Sequence, residues 1–234
     1  MADSLRKIGL IGGTFDPVHN GHLHLALQAQ KLFDLQKVIF VPAYRSPHKL
    51  DLEPVSCEHR LTMLTLALEN QPGFYLDKLE INKNKVSYTI ETLKDLNLLH
   101  PDWEIFLILG ADTFKEIDTW KQSSQLLDFC SILVGTRPGA ELHIPKSIQH
   151  KFSLDEPKRQ ACHSSLKAEL IVFKKRKKNT QVILFQISPL DISSNDIRQR
   201  IFNKEEIKNL LPLSVDNYIM EHRLYSNDSS PNVT

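Results

Sequence analysis

A short apolar run that ends in two glycines and opens directly onto a helix restricts this chain more than any other feature. Ile8, Leu10 and Ile11 are closed by Gly12-Gly13, which suits a buried parallel strand entering a tight turn. Beyond His19-Asn20-Gly21-His22, apolar residues recur at Leu25, Ala29, Leu32 and Phe33, the spacing of one helix face. The same alternation continues. Lys37–Val41 reads as a second strand, and the Pro42–Pro54 stretch, with three prolines, reads as a loop at its C-terminal end. Ser56 can cap a helix carrying Leu61, Leu64 and Leu68, and Ser87 one carrying Ile90, Leu93 and Leu96. Glu104–Leu109 is the strongest strand signal, followed by Ser131–Val134 and Val182–Ile187. Strands alternating with helices predict an α/β fold: an open, Rossmann-like parallel sheet with helices on both faces.

The 234 residues suffice for one such domain, expected over 1–225 with a C-terminal helical part at 190–225. Val215, Tyr218, Ile219 and Leu224 lie at helical spacing there, and the Ser/Asn/Asp/Pro-rich tail at 226–234 is expected to be disordered. The stretch from 140 to 180 is polar and reads as an irregular surface excursion ending in the basic run Lys174–Lys178, a solvated loop. With 29 Lys and Arg against 28 Asp and Glu, no global field argues for nucleic acid as a partner. Cys57, Cys130 and Cys162 are odd in number and far apart, which argues against a disulfide framework or a thiolate metal site and for a cytosolic chain. The N-terminal apolar run is too short for a signal peptide or a membrane span. Whether the chain forms a homo-oligomer is left open.

The chemistry starts at Gly12-Gly13-Thr14-Phe15-Asp16-Pro17-Val18-His19-Asn20-Gly21-His22. Glycines let backbone N–H groups approach an anion, and the helix start adds partial positive charge, so a polyphosphate is the natural occupant. His19 and His22, in the first turn, can donate to phosphate oxygens whose charge grows during transfer.

This string resembles the signature of the nucleotidyltransferase superfamily, with its His-x-Gly-His tetrad at His19–His22. The likeness continues through Ser46-Pro47-His48-Lys49, Ser87-Tyr88-Thr89, Gly110–Phe114, Trp120, Arg137-Pro138-Gly139 and Ile192–Arg198, and within the superfamily the set is similar to the bacterial nicotinate-nucleotide adenylyltransferases. It covers about residues 6–224 and is poorest between 140 and 180. Asn195 stands where many relatives have Thr, a change expected to be tolerated near the phosphates.

The resemblance implies the nucleotidyltransferase fold. It implies catalytic roles for His19, His22 and Arg198, and ATP contacts for Gly12, Gly13, Thr14, Phe15, Gly110, Asp112, Arg137, Ser193 and Ser194. It gives the acceptor mononucleotide to Arg45, His48, Lys49, Tyr88, Thr89 and Trp120. The residue types agree. Ser193 or Ser194 can cap a helix whose free N–H groups meet phosphate, with Arg198 on its first turns as a fork of donors. Gly110-Ala111-Asp112 follows the best strand, at the end where open α/β sheets bind ligands, so Asp112 can take ribose hydroxyls or cap a helix. Arg45, His48 and Lys49 sit in a loop able to cover a phosphate. Trp120 offers a stacking face, and the helix start at Tyr88-Thr89 offers donors to a carboxylate.

The expected reaction is transfer of the adenylyl group of ATP to nicotinate mononucleotide, in NAD biosynthesis, with Mg²⁺ carried by ATP and no metal cage in the protein. One alternative is an adenylyl- or cytidylyltransferase with another phosphorylated acceptor. A metallohydrolase using His19, His22 and His24, or a non-catalytic nucleotide sensor, would be alternatives of other classes.

Overall fold

The computed structural model describes residues 5–47, 54–136, 144, 146–155, 158–161, 169–175, 179–188, 190 and 192–227. In chain order its elements are β1 (Arg6–Gly13), α1 (Asn20–Phe33), β2 (Lys37–Pro42), α2 (Cys57–Leu68), β3 (Phe74–Leu76), α3 (Leu79–Asn82), α4 (Thr89–Leu99), β4 (Trp103–Gly110), α5 (Ala111–Lys115), β5 (Ser131–Thr136), α6 (Lys146–Lys151), β6 (Lys158–Ala161), β7 (Glu169–Lys174), β8 (Gln181–Gln186), α7 (Ser194–Phe202) and α8 (Leu213–Glu221). Short 3₁₀ turns at Ile117–Thr119 and Ser123–Asp128 bridge α5 to β5.

The strands form one sheet in the order β3-β2-β1-β4-β5-β8-β7-β6. β1 lies in parallel between β2 and β4, with Leu10 opposite both Ile39 and Leu107. From β1 the chain builds outward through β2 and β3 on one side, then returns to lay β4 on the other. The carboxyl ends of β1 and β4 thus flank a topological switch point, where a crevice opens in sheets of this kind. Both faces are covered. Ala26, Ala29, Met63, Leu64, Ile197, Val215 and Ile219 pack one face, and Ile90, Leu93, Phe114, Leu126 and Phe152 the other.

The open sheet with helices on both faces is as the sequence predicts, but the 140–180 stretch is not an irregular surface excursion. Its described residues include α6 and the strands β6 and β7, which run antiparallel to their neighbours and extend the sheet beyond β8. Leu170, Ile171, Val172 and Phe173 are all buried. Four apolar residues between charged flanks are enough for a strand, and the polar composition of the wider stretch hides them. Ser87 is not the helix cap: α4 begins at Thr89 with Tyr88 as N-cap, and the Ser87 hydroxyl accepts the Tyr44 N–H instead. Ser56 does cap α2, accepting the His59 N–H. The tail beyond residue 227 and most of the Lys174–Lys178 run lie outside the described residues.

Candidate functional site

The crevice at the switch point is a cavity of about 330 Å³. One group of lining residues comes from the turn after β1, α1 and the start of α7 (Gly12, Gly13, Thr14, Phe15, Asp16, His22 and Ser194), a second from the start of α4 and the turn after α5 (Ser87, Tyr88, Thr89, Trp120 and Lys121), and Gly110, Thr113 and Glu116 complete the lining.

The first group is built by the turn after β1. A Cβ on Gly12 would meet nothing closer than 3.9 Å, and one on Gly110 nothing within 4 Å, so both glycines leave the cavity open. Phe15 holds φ +52°, a left-handed conformation a bulky residue rarely adopts, with its ring against His22 and Phe40. His19 is the N-cap of α1 and His22 lies three residues on. Their rings stack, 3.7 Å between centroids and 26° apart. A Cβ on Gly21 would stand 3.0 Å from His19 Nδ1, so the glycine within the tetrad makes room for this stack. The His19 N–H donates to His22 Nδ1 over 3.2 Å. His22 in its neutral form then carries its proton on Nε2. His19 stands behind it, only 6% exposed and with Nδ1 buried and unpartnered. Burial pushes its pKa down to about 4, so it is a neutral imidazole at pH 7.

α7 closes on this turn. Ser193 caps it by accepting the Asp196 N–H, and the Ser194 hydroxyl donates to the Pro17 carbonyl over 2.8 Å. Arg198 donates to the Asp16 carbonyl at 2.6 Å and to Asn195 Oδ1 at 3.1 Å. Asn195 therefore supports the arginine directly. Asp16, buried beside it, accepts from Tyr225 Oη over 2.7 Å. Burial first, and then the Asp16 charge, raise the Tyr225 phenol far above its ordinary range, so it remains a donor.

The expected site residues do not all converge. Gly12, Gly13, Thr14, Phe15, His22, Gly110, Ser194, Tyr88, Thr89 and Trp120 line the cavity, whereas His19, Ser193 and Arg198 are not part of its lining. Asp112 does not face it: its carboxylate is 84% exposed and pairs with Lys115, and Thr113 and Glu116 line the cavity in its place. Arg45 is exposed, with its backbone bridged to Val86 and its carbonyl accepting the Ser87 N–H. His48, Lys49 and Arg137 lie outside the described residues.

Sequence reasoning missed Arg60. Fully buried on α2, its guanidinium donates to the carbonyls of Thr14 and Ala43 at 2.8 Å each, to those of Tyr44 and Val55, and to Cys57 Sγ. It thereby ties the glycine turn to the loop after β2. A signal for it existed: Arg60 stands at i with Met63, Leu64, Ala67 and Leu68 at i+3, i+4, i+7 and i+8, a charge at a core position of a helix. Glu80 was missed too. It is 8% exposed, lines the cavity, accepts from the Thr92 hydroxyl, and has its pKa raised by burial.

At the switch-point crevice the described residues thus bring together a bare-backbone turn, the His22 imidazole and residues from the starts of α4 and α7, a lining able to take a nucleotide's phosphates. The cytidylyltransferase-like family model matches residues 10–200. A protein of Geotalea daltonii named as a probable nicotinate-nucleotide adenylyltransferase is 36% identical over 225 residues, 94% of this chain and 98% of its own length. One of Desulfitobacterium hafniense with the same name is 38% identical over 220 residues, 94% of this chain and 96% of its own. The chain thus belongs to the cytidylyltransferase-like nucleotidyltransferases and, among them, to the nicotinate-nucleotide adenylyltransferase family. A solved structure of Plasmodium falciparum nicotinic acid mononucleotide adenylyltransferase complexed with NaAD shares the fold, with TM-score 0.69 at 22% identity over 94% of this chain and 97% of that one. Among the described residues no helix is long and apolar enough to cross a membrane.

Proposed function

We propose that the protein transfers the adenylyl group of ATP to nicotinate mononucleotide, giving nicotinate adenine dinucleotide and pyrophosphate, as a step of NAD biosynthesis. The observation that carries this reading is that one cavity is lined both by the glycine turn with His22 and Ser194 and by Tyr88, Thr89 and Trp120.

An acceptor phosphate oxygen attacks the α-phosphorus of ATP in line. A new P–O bond forms as the bond to the β-phosphate oxygen breaks, and pyrophosphate departs. No covalent enzyme intermediate is required, so the protein acts by positioning and by meeting charge. Gly12 and Gly13 give backbone access to the phosphates, with Thr14 and Phe15 completing the turn. His22 Nε2–H donates to the oxygens on which charge develops. His19 holds that imidazole in place by stacking and through its N–H. The α7 start, with Ser193 and Ser194, and Arg198 turned from the Asp16 carbonyl, meet the triphosphate from the other side. Mg²⁺ enters as part of the substrate, on the triphosphate. Gly110 opens the wall for the nucleoside. Trp120 stacks on the pyridine, and the donors at Tyr88 and Thr89 take its carboxylate. The acceptor phosphate is assigned to Arg45 with His48 and Lys49, and Arg137 to ATP.

The test is incubation with Mg-ATP and, separately, nicotinate mononucleotide, nicotinamide mononucleotide and phosphopantetheine, following pyrophosphate and the condensed product. Preferred use of nicotinate mononucleotide is expected. Preference for phosphopantetheine would replace the acceptor while keeping the reaction, and no pyrophosphate with any acceptor would overturn the reading.

A further inference from the structure

Lys121 is the single Lys or Arg side chain among the described residues that line the cavity. It follows Trp120 and lies against Tyr88, its Nζ 4.1 Å from the centroid of that ring. Glu91, in the first turn of α4, accepts from Lys121 Nζ at 2.8 Å through Oε1 and pairs with Lys85 at 3.2 Å through Oε2. One carboxylate therefore serves two lysines.

The pairing is loosely held. Lys121 is 45% exposed and Glu91 30%, a setting in which an ion pair contributes little and can be exchanged at low cost. Lys85 remains with Glu91 if Lys121 leaves, so no carboxylate is stranded. An anion brought into the cavity between Tyr88 and Trp120 offers Lys121 a partner in a drier setting than Glu91 does, where the same attraction counts for more.

We propose that Lys121 is a specificity residue that reads the pyridine substituent by charge, its ammonium moving from Glu91 to the carboxylate of the acceptor. The inference rests on the acceptor reading above. The acceptor phosphate is not its target, because on that reading this group must meet the α-phosphate of ATP beside His22. Charge reading differs from hydrogen-bond matching at Thr89: a neutral amide gains nothing from Lys121, whereas a carboxylate gains a charge-assisted hydrogen bond.

Lys121→Gln and Lys121→Arg test the proposal in the full chain, with KM and kcat measured for nicotinate and nicotinamide mononucleotides over a range of salt. Lys121→Gln should raise KM for the nicotinate compound about tenfold, leave that for the nicotinamide compound within about twofold, and flatten the salt dependence of the former. Lys121→Arg should recover most of the loss. A lysine that merely supports the Tyr88 ring would shift both acceptors alike, and that result, or an unchanged ratio, overturns the proposal. Failure of the unmodified protein to use either pyridine mononucleotide would instead remove the acceptor reading and this inference with it.

Discussion

His22 accepts the backbone N–H of its neighbour His19 at Nδ1 over 3.2 Å, and that contact decides which edge of the imidazole serves the cavity. With Nδ1 occupied as an acceptor, Nε2 carries the proton and donates. His22→Ala should therefore lower turnover by about two to three powers of ten, as expected for losing an aimed donor at a developing charge. Steady-state rates beside thermal melts check this: near-normal turnover in a folded variant would dismiss the role given to His22.

His19 makes a different prediction, about pH. Its folded pKa is about 4 against 6.5 in the unfolded chain. Below pH 6.5 the unfolded state binds the proton first, so the stability gained by keeping His19 neutral is fully present above 6.5 and is lost as pH falls through the interval to 4. The loss is about 3 kcal/mol. Urea titrations between pH 7.5 and about pH 4 should show this slope in the unmodified protein and a shallower one in His19→Asn. Parallel slopes would mean that the His19 ring is solvated. His19→Ala should also lower turnover, because the stack behind His22 goes with it.

Arg60 should behave as the tie between the two loops. Arg60→Met removes the donor from the buried carbonyl contact of Ala43 and from the part-buried ones of Thr14 and Tyr44 and should cost about 2–4 kcal/mol. Arg60→Lys, with fewer donors and no fork, should lie between. Chemical denaturation measures both, and a loss below about 1 kcal/mol for Arg60→Met would show that water reaches these carbonyls.

Arg198 and Asn195 form a supported pair. Arg198→Ala should weaken ATP by about 1.5–3 kcal/mol while acceptor affinity hardly moves. Asn195→Ala, which removes only the support at Oδ1, should weaken ATP in the same direction by about 0.5–1.5 kcal/mol. Titrations of each ligand decide: equal loss of both affinities from Arg198→Ala would detach it from the triphosphate.

What was legible in the sequence was local. Ile8 to Gly13 and Leu25 to Phe33 carry their periodicities within one element, so the first strand, turn and helix, and with them His22 beside the glycines, follow from spacing alone. The site's support is long-range. Asp16 meets Tyr225 across 209 residues and Arg198 across 182, and Glu80 meets Thr92 from a four-residue helix with no periodicity to read. Asp112 illustrates a limit of another kind. Its position after β4 is right for a ribose, but in a helix of five residues its side chain turns outward to Lys115, and Thr113 faces the cavity instead. Arg60 was the readable exception, since a charge on an apolar helix stripe announces a buried, fully bonded group.

The remaining prediction concerns the acceptor's substituent. Nicotinate and nicotinamide mononucleotides have the same shape, so size cannot separate them. Thr89, the first residue of α4, lines the cavity beside Tyr88, and its hydroxyl and the free N–H groups of that helix start are donors. Donors suit a carboxylate, which only accepts, and oppose the NH₂ of an amide. A mismatch of this kind leaves buried polar groups unpaired at about 1–3 kcal/mol each, and so gives at least about a fivefold preference for the acid. Thr89→Val keeps the shape and removes one donor, so it should reduce nicotinate use far more than nicotinamide use. Trp120→Ala should weaken both alike, because stacking does not read the substituent. The kcat/KM ratio for the two acceptors measures each effect: an unchanged ratio in Thr89→Val would mean that the hydroxyl does not touch the substituent, and a ratio altered by Trp120→Ala would mean that the indole does more than stack.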